Sequence, residues 1–264
     1  MPPVSAQTLT LEGPDAIAFA QAQFSSDVAA LAEGHWQWSG WLDAQGRIRS
    51  FVQIARTGHD RLLVLLRGGN ASALADGLRR FVFRSKVVMH IDDTSVIADD
   101  HALDAHTIDI AADKNIRIGM GDYSLRIGDA RHGDTHEWRA HDIARGYPWL
   151  PDAALDRLLA PAISMERLHA VAFDKGCYPG QEIVARLHYR GGHKRHMHCV
   201  ESSQALNAGD TLRIEDREGG VVLSCVHSAN GMYRALVVLD DGLTADGRVE
   251  FGDTSLHIVQ SFST

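Results

Sequence analysis

Lys175-Gly176-Cys177-Tyr178-Pro179-Gly180-Gln181-Glu182, running on through Val184-Ala185-Arg186, is the stretch on which the reading of this chain turns. Gly176 and Gly180 permit sharp backbone geometry, and Pro179 fixes a φ angle between them. Gln181 to Leu187 has the pattern of a short helix, so Cys177 falls just ahead of a helix N-terminus with Lys175 beside it. Both features favour the thiolate, the nucleophilic and metal-binding form of cysteine. An isolated cysteine is more often a small buried hydrophobe. Here the flanking Lys, Tyr, Gln and Glu make a polar loop, which favours a functional thiol.

Downstream, Arg186, His188, Arg190, His193, Lys194, Arg195, His196 and His198 form a basic run. It reads equally as a solvated turn leading into a strand or as an anion-binding patch for a polyglutamate tail, a phosphate or RNA. His196 and His198 would share a strand face with Cys199 pointing away, but no second ligand cluster with zinc spacing accompanies them. Trp36, Trp38 and Trp41 recur mostly at strand spacing and read as core. Trp138 differs, because it lies on an otherwise polar helical turn. It is either partly buried or a flat surface for a heteroaromatic ring. There is no Gly-x-Ser-x-Gly, Walker or dinucleotide fingerprint.

The bulk properties agree with an ordinary globular chain of 264 residues, with 45% hydrophobic and 23% charged residues. A net charge of −8 opposes nucleic-acid binding through an overall positive field, though not through a local patch. No apolar run approaches the ~18 residues of a membrane span. The start, Met1-Pro2-Pro3-Val4-Ser5, has no leader pattern, so a cytoplasmic location is expected. The cysteines Cys177, Cys199 and Cys225 contain no CxxC pair and suggest no disulfide framework.

Outward from the cysteine loop, Thr8–Leu11 reads as a strand and Ala16–Phe24 as a helix opened by Gly13-Pro14-Asp15. A second helical start is expected at Ser25-Ser26-Asp27. Trp36–Leu42 and Arg47–Ala55 flank a hairpin turn at Asp43-Ala44-Gln45-Gly46. Arg61–Leu66 is a third strand, Asn70–Phe83 a helix capped by Asn70, and Val87–Ile91 a strand again. Arg117–Ile127 forms a hairpin turning at Gly121-Asp122. Asp134-Thr135-His136-Glu137 has capping-box spacing and opens a helix to Gly146. Beyond Arg190-Gly191-Gly192 the chain becomes short β runs, expected at Thr211–Ile214, Gly220–Val226, Tyr233–Leu239 and Leu256–Val259. They suggest a small antiparallel barrel or sandwich with a boundary near Gly191.

Taken together, these motifs resemble the YgfZ-type folate-binding proteins, relatives of the glycine-cleavage T-protein (aminomethyltransferase). The Lys-Gly-Cys-Tyr-x-Gly-Gln-Glu run carries the resemblance, with Arg190-Gly191 and Lys194-Arg195 after it. Phe19–Val28 with Gln21, Gln23 and Asp27 is similar to the family's first helical motif. Leu42–Arg47 resembles its hairpin, Phe83-Arg84-Ser85-Lys86-Val87 its helix-to-strand junction, and Trp138 through Gly146-Tyr147-Pro148 its folate-contacting segment.

The resemblance implies an α+β, aminomethyltransferase-like folate-binding fold. Residues 1–190 would form two α+β subdomains, with 36–91 inserted, and residues 191–264 a C-terminal antiparallel β-barrel. It implies a tetrahydrofolate site and an essential cysteine facing the cavity. Cys177, Lys175, Gln181 and Glu182 would be the reactive set, and Trp138, Asp27, Tyr178 and Arg186 the folate contacts, with no metal site. The implied role is that of an accessory factor for assembly or repair of iron–sulfur clusters, tRNA methylthiotransferases included. Its partners would be iron–sulfur enzymes or assembly factors and folate, with a weak tRNA contact through Arg186–Arg195. The alternative is a tetrahydrofolate-dependent one-carbon transferase. Against it, the aspartate pair of aminomethyltransferases aligns with Ser50 and Phe51. The family's glutamate before Gly-aromatic-Pro aligns with Ala144, and a glutamine after a proline with Ala162. Aminomethyl transfer is therefore disfavoured.

Overall fold

A computed structural model describes residues 4–99, 101–111, 115–128, 136–214, 216–228, 230–244 and 247–263. The chain divides into two compact units. The first comprises residues 1–42, 49–138 and 169–179, and the second residues 43–48, 139–168 and 180–264.

The first unit is built on an eight-stranded sheet. Its strands are β1 (Val4–Glu12), β2 (Trp36–Leu42), β3 (Ile48–Gly58), β4 (Arg61–Gly68), β5 (Val88–Asp99), β6 (Ile108–Ile110), β7 (Ile116–Gly119) and β8 (Ser124–Gly128). The order is β2-β3-β4-β1-β5-β8-β7-β6, and the paired strands run antiparallel. Strands from the 36–91 segment thus share one sheet with β1 and β6–β8.

Helices α1 (Ala16–Gln23) and α2 (Ala71–Arg79) cover one face. Phe19, Ala20, Phe24, Leu74 and Leu78 meet Leu9, Leu11, Val52, Ile54, Leu62, Val64 and Leu66 there. These strand positions alternate, as one pleated face requires. Trp41 belongs to this core, and Gly77 of α2 has no side chain because a Cβ would lie 2.2 Å from the Trp41 ring. Trp36 and Trp38 are of the opposite parity. They meet edge to face at 5.2 Å, and Trp38 stacks on Phe51 at 5.2 Å with an interplanar angle of 8°. All three tryptophans are core, as their spacing suggests.

In the second unit, β9 (Arg195–Ser202), β10 (Thr211–Ile214), β11 (Arg217–His227), β12 (Tyr233–Asp240), β13 (Arg248–Phe251) and β14 (Thr254–Ser261) form a sheet ordered β10-β11-β12-β9-β14-β13. Its two edge strands approach each other, so the sheet curls into a nearly closed antiparallel barrel. Val200, Leu212, Val222, Val237, Leu239, Val249, Phe251 and Leu256 fill it. The expected C-terminal barrel is present. The second unit also holds helix α4 (Gln181–Arg190), while α3 (His136–Arg145) runs across the division of the chain.

Two local expectations fail. No helix starts at Ser25-Ser26-Asp27, because both serine hydroxyls are used in tertiary hydrogen bonds instead of capping. The helix expected over Asn70–Phe83 ends at Arg79. Asn70 does cap it, accepting from the Ala73 N–H at 3.1 Å. Past Arg79 the chain leaves the helix so that Val82 and Val87 pack on the core, and Phe81 and Phe83 remain exposed. The Asp134-Thr135 part of the expected capping box lies outside the described residues.

Candidate functional site around Cys177

The cysteine loop begins with a tether. Lys175 Nζ donates to the carbonyls of Phe24 and Ser26, each at 2.6 Å. Its ammonium sits 5.1 Å from the centroid of the Tyr178 ring, a cation–π contact. Burial lowers the Lys175 pKa to about 8, and the charge of nearby Asp27 opposes that shift. Asp27 is held in turn: its Oδ1 accepts from Gln21 Nε2 at 3.0 Å and from the Ala30 N–H at 3.3 Å. Tyr178 is buried, and its hydroxyl makes no hydrogen bond among the described residues. Burial pushes its pKa up to about 12.

The anchor for this tether is the corner that replaced the expected helix. Ser25 Oγ donates to the Ala170 carbonyl at 2.6 Å and accepts from the Gly40 N–H at 2.8 Å. The Ser25 carbonyl accepts from the Ala172 N–H at 2.9 Å. Ser26 Oγ donates to Ser39 Oγ at 2.7 Å and accepts from Gln37 Nε2 at 2.7 Å. Buried serines are kept because each hydroxyl finds a partner. Their bonds run along β2, the edge strand of the sheet, and tie residues 169–172 to it. Sequence reasoning took these serines for a helix start and missed their buried role. Their only signal was a Ser-Ser pair between an apolar helix and a strand, which also fits a helix cap.

Downstream of Cys177 the chain turns at Gly180 into α4. Gly180 has φ 80°, and a Cβ there would lie 2.5 Å from the Asp43 carbonyl oxygen. Gly46 faces it with φ 74° and touches Ile183 of α4. The hairpin tip is itself rigid. Asp43 Oδ1 accepts from the N–H groups of Gln45 and Arg47 at 2.9 Å, and Oδ2 accepts from Arg47 Nε at 2.7 Å. Two separate motifs, Asp-Ala-Gln-Gly-Arg and Gly-Gln-Glu, therefore meet back to back through glycines. Gln181 and Glu182 lie in the first turn of α4, where Glu182 suits the positive end of the helix dipole. Glu182 and Arg186 are exposed.

Between its anchors Cys177 is exposed, whereas Cys199 is buried and Cys225 half-buried. Burial raises the Cys199 pKa to about 11 and raises that of Cys225 as well. Cys177 is the accessible thiol of the three. Its lysine neighbour in sequence points its donors at the Phe24–Ser26 corner, so Lys175 shapes the loop through those carbonyls.

The expected folate contacts separate. Asp27, Lys175 and Tyr178 gather at the tether. Trp138 belongs to another cluster, where the Arg67 guanidinium carbon lies 5.8 Å from its ring centroid and 5.1 Å from that of Trp38. Arg67 is fully buried and donates from Nη1 to Gln53 Oε1 at 3.4 Å. Ser50 and Phe51 are buried, and Ala144 is exposed on α3. The turn after α3 is held by Arg167, which donates to the carbonyls of Arg145 at 3.1 Å and Gly146 at 2.6 Å.

In the basic run, Arg195 is paired with Glu218 at 2.9 Å and His188 with Glu166 at 2.9 Å. His196 bonds Asp241 at 2.6 Å and buried His198 bonds Ser261 at 2.9 Å. Arg186, Arg190 and Lys194 remain exposed. No cluster of three or more metal-ligating side chains occurs among the described residues. No described helix is long and apolar enough to cross a membrane.

Comparison with known proteins bears out the family resemblance. A tRNA-modifying protein YgfZ of Serratia proteamaculans is 25% identical over 282 residues, covering 93% of this chain and 85% of the relative. The protein of the same name from Pectobacterium carotovorum is 27% identical over 274 residues, covering 90% and 82%. That from Edwardsiella ictaluri is 28% identical over 287 residues, covering 93% and 85%. No family model matches the chain. Among solved structures, the glycine cleavage system aminomethyltransferase T of Bartonella henselae superposes with a TM-score of 0.68 at 14% identity, over 97% of this chain and 83% of that one. The fold is aminomethyltransferase-like.

Proposed function

From a chain that is similar to YgfZ-type proteins along nearly its whole length and folded like an aminomethyltransferase, we propose an accessory factor for assembly or repair of iron–sulfur clusters. Its clients would include tRNA-modifying enzymes, the tRNA methylthiotransferases among them. That its relatives are tRNA-modifying proteins supports this reading. The observation that carries it is the exposed Cys177 thiol on a loop tethered through Lys175 and turned at Gly180. Cluster iron is the cargo: the thiol loses its proton on ligation, serves as a transient ligand, and is released when the client takes the cluster. Gln181 and Glu182 open the helix behind the loop and hold its geometry. We place the boundary of the C-terminal barrel domain near residue 191, with the cysteine loop at the end of the preceding region.

Tetrahydrofolate is proposed as a weakly held effector. The residues fit it incompletely. Tyr178 offers a buried hydroxyl without a partner, but Trp138 is fully buried rather than an open stacking face, and neither position 144 nor positions 50 and 51 carry a carboxylate for the paired hydrogen bonds a pterin calls for. Phe51 instead closes a stack on Trp38. The same absence of carboxylates argues against the alternative, a one-carbon transferase.

The decisive experiment is complementation of a deletion strain with Cys177→Ala and Trp138→Ala side by side, read as the activity of iron–sulfur enzymes. Cys177→Ala should fold normally and give no rescue. Full rescue by that variant refutes the proposal. Tetrahydrofolate should quench tryptophan fluorescence and raise the melting temperature of the wild type, and an absence of both removes folate from the reading.

A further inference from the structure

The segment after α2 has a surface that the cysteine reading does not use. Residues 77–91 read Gly-Leu-Arg-Arg-Phe-Val-Phe-Arg-Ser-Lys-Val-Val-Met-His-Ile. They contain four Lys or Arg and no carboxylate, in a chain of net charge −8. Arg79 is paired with Asp76 at 2.6 Å. Arg80, Arg84 and Lys86 are exposed, with no ion pair among the described residues. Phe81 is 45% and Phe83 86% exposed, while the smaller Val82 and Val87 take the places against the core.

The backbone that presents these side chains is fixed. Phe81 and Val82 donate their N–H groups to the carbonyls of Leu78 and Arg79, at 2.9 and 3.2 Å, and Phe83 donates to Phe81 at 3.1 Å. The Lys86 N–H donates to Asp15 Oδ2 at 2.7 Å. Gly13 lies so close that a Cβ would stand 2.2 Å from the Lys86 carbonyl oxygen. Asp15, which leads into α1 without capping it, thus pins the loop. The rings and cations alternate on an ordered platform.

We propose that Arg80–Val88 is a contact surface for single-stranded RNA, with Phe81 and Phe83 stacking on bases and Arg80, Arg84 and Lys86 following the phosphates. Three exposed cations that form no ion pair among the described residues favour a polyanion, and the nearby Asp15 carboxylate is engaged by the Lys86 N–H. Aromatic rings interleaved with those cations are the arrangement that unpaired bases engage, because a duplex hides its base faces. Phe81 and Phe83 are separated in sequence from exposed Val88 by Arg84 and Lys86, for which an apolar protein partner would have no use. A membrane surface would call for an amphipathic helix, which this segment is not. The proposal stands independently of the role of Cys177.

The test uses the full-length protein and a fluorescein-labelled, unstructured 15-nucleotide RNA, followed by anisotropy between 50 and 200 mM KCl. Phe83→Ala should weaken binding about fivefold to a hundredfold. It should leave the salt slope and melting temperature unchanged, since the ring is exposed. The triple variant Arg80→Ala, Arg84→Ala, Lys86→Ala should reduce the slope of log K against log salt by about 2, from ~0.7 per single-strand phosphate contact. Neutralising Arg186, Arg190 and Lys194 should cost less affinity than the Arg80, Arg84, Lys86 triple variant, and an equal or larger loss overturns the proposal by assigning the RNA to that run. The proposal is overturned by no binding at 50 mM KCl, by unchanged affinity on removing both phenyl rings, or by equal affinity for duplex RNA. Loss of binding to anionic lipid vesicles, without any effect on RNA, also overturns it.

Discussion

Replacing Lys175 with methionine keeps the length of the side chain and removes its charge and donors, which isolates the tether of the cysteine loop. Two opposing effects set the outcome at neutral pH. The ammonium donates to two carbonyls at 2.6 Å, and hydrogen bonds from charged groups are each worth about 1.5–3 kcal/mol. Against this stands the cost of burying the charge, expressed in a folded-state pKa of about 8 in place of 10.5. A depressed lysine pKa means that the fold disfavours the charged form. The penalty is fully present below pH 8 and is relieved as pH rises from 8 towards 10.5. One unit corresponds to about 1.4 kcal/mol, so wild type should gain about 2–3 kcal/mol relative to Lys175→Met between pH 7 and pH 10. Urea unfolding of both proteins at the two pH values measures this, and other titrations cancel in the difference. In parallel, the native-state reaction of Cys177 with a maleimide should change in the variant at pH 7, because the loop loses its upstream anchor. A stability difference that is flat with pH, together with an unchanged alkylation rate, would refute both the buried charge and the tether.

Gly180→Ala should destabilise the protein by about 1–3 kcal/mol, through the left-handed φ and a Cβ 2.5 Å from the Asp43 carbonyl oxygen. Its chemical denaturation midpoint should fall well below wild type, and a variant with unchanged stability would show that the back-to-back glycine contact is not required. With excess maleimide the native protein should label quickly at Cys177 alone, and at all three cysteines once unfolded, as read by intact mass. Rapid native labelling of Cys199, whose pKa is raised to about 11 by burial, would contradict its place inside the barrel.

The parts of the fold legible in the sequence are those where one local rule decides. The Asp43–Gly46 turn, the Asn70 cap and the β runs after residue 210 each follow from turn chemistry or period-two alternation, and each is present. The failures occur where a polar residue is buried by a partner distant in sequence. Ser25 bonds to Ala170, 145 residues away, so a sequence that locally spells a helix cap becomes a buried corner. Arg67 continues the alternation of β4 on the Trp38 face. A reading that ends the strand at Leu66 leaves it out, although its guanidinium lies over two indole rings. The candidate site divides in the same way. Cys177 could be singled out from its neighbours in sequence, whereas the role of Lys175 could not. Placed beside a cysteine, a lysine reads as an electrostatic activator. Its donors are instead taken by two carbonyls about 150 positions upstream, at a corner whose form depends on those serines being buried. The tether and the missed corner are therefore one structure, and Ser25→Ala or Ser26→Ala should disturb the reactivity of Cys177 in the same direction as Lys175→Met.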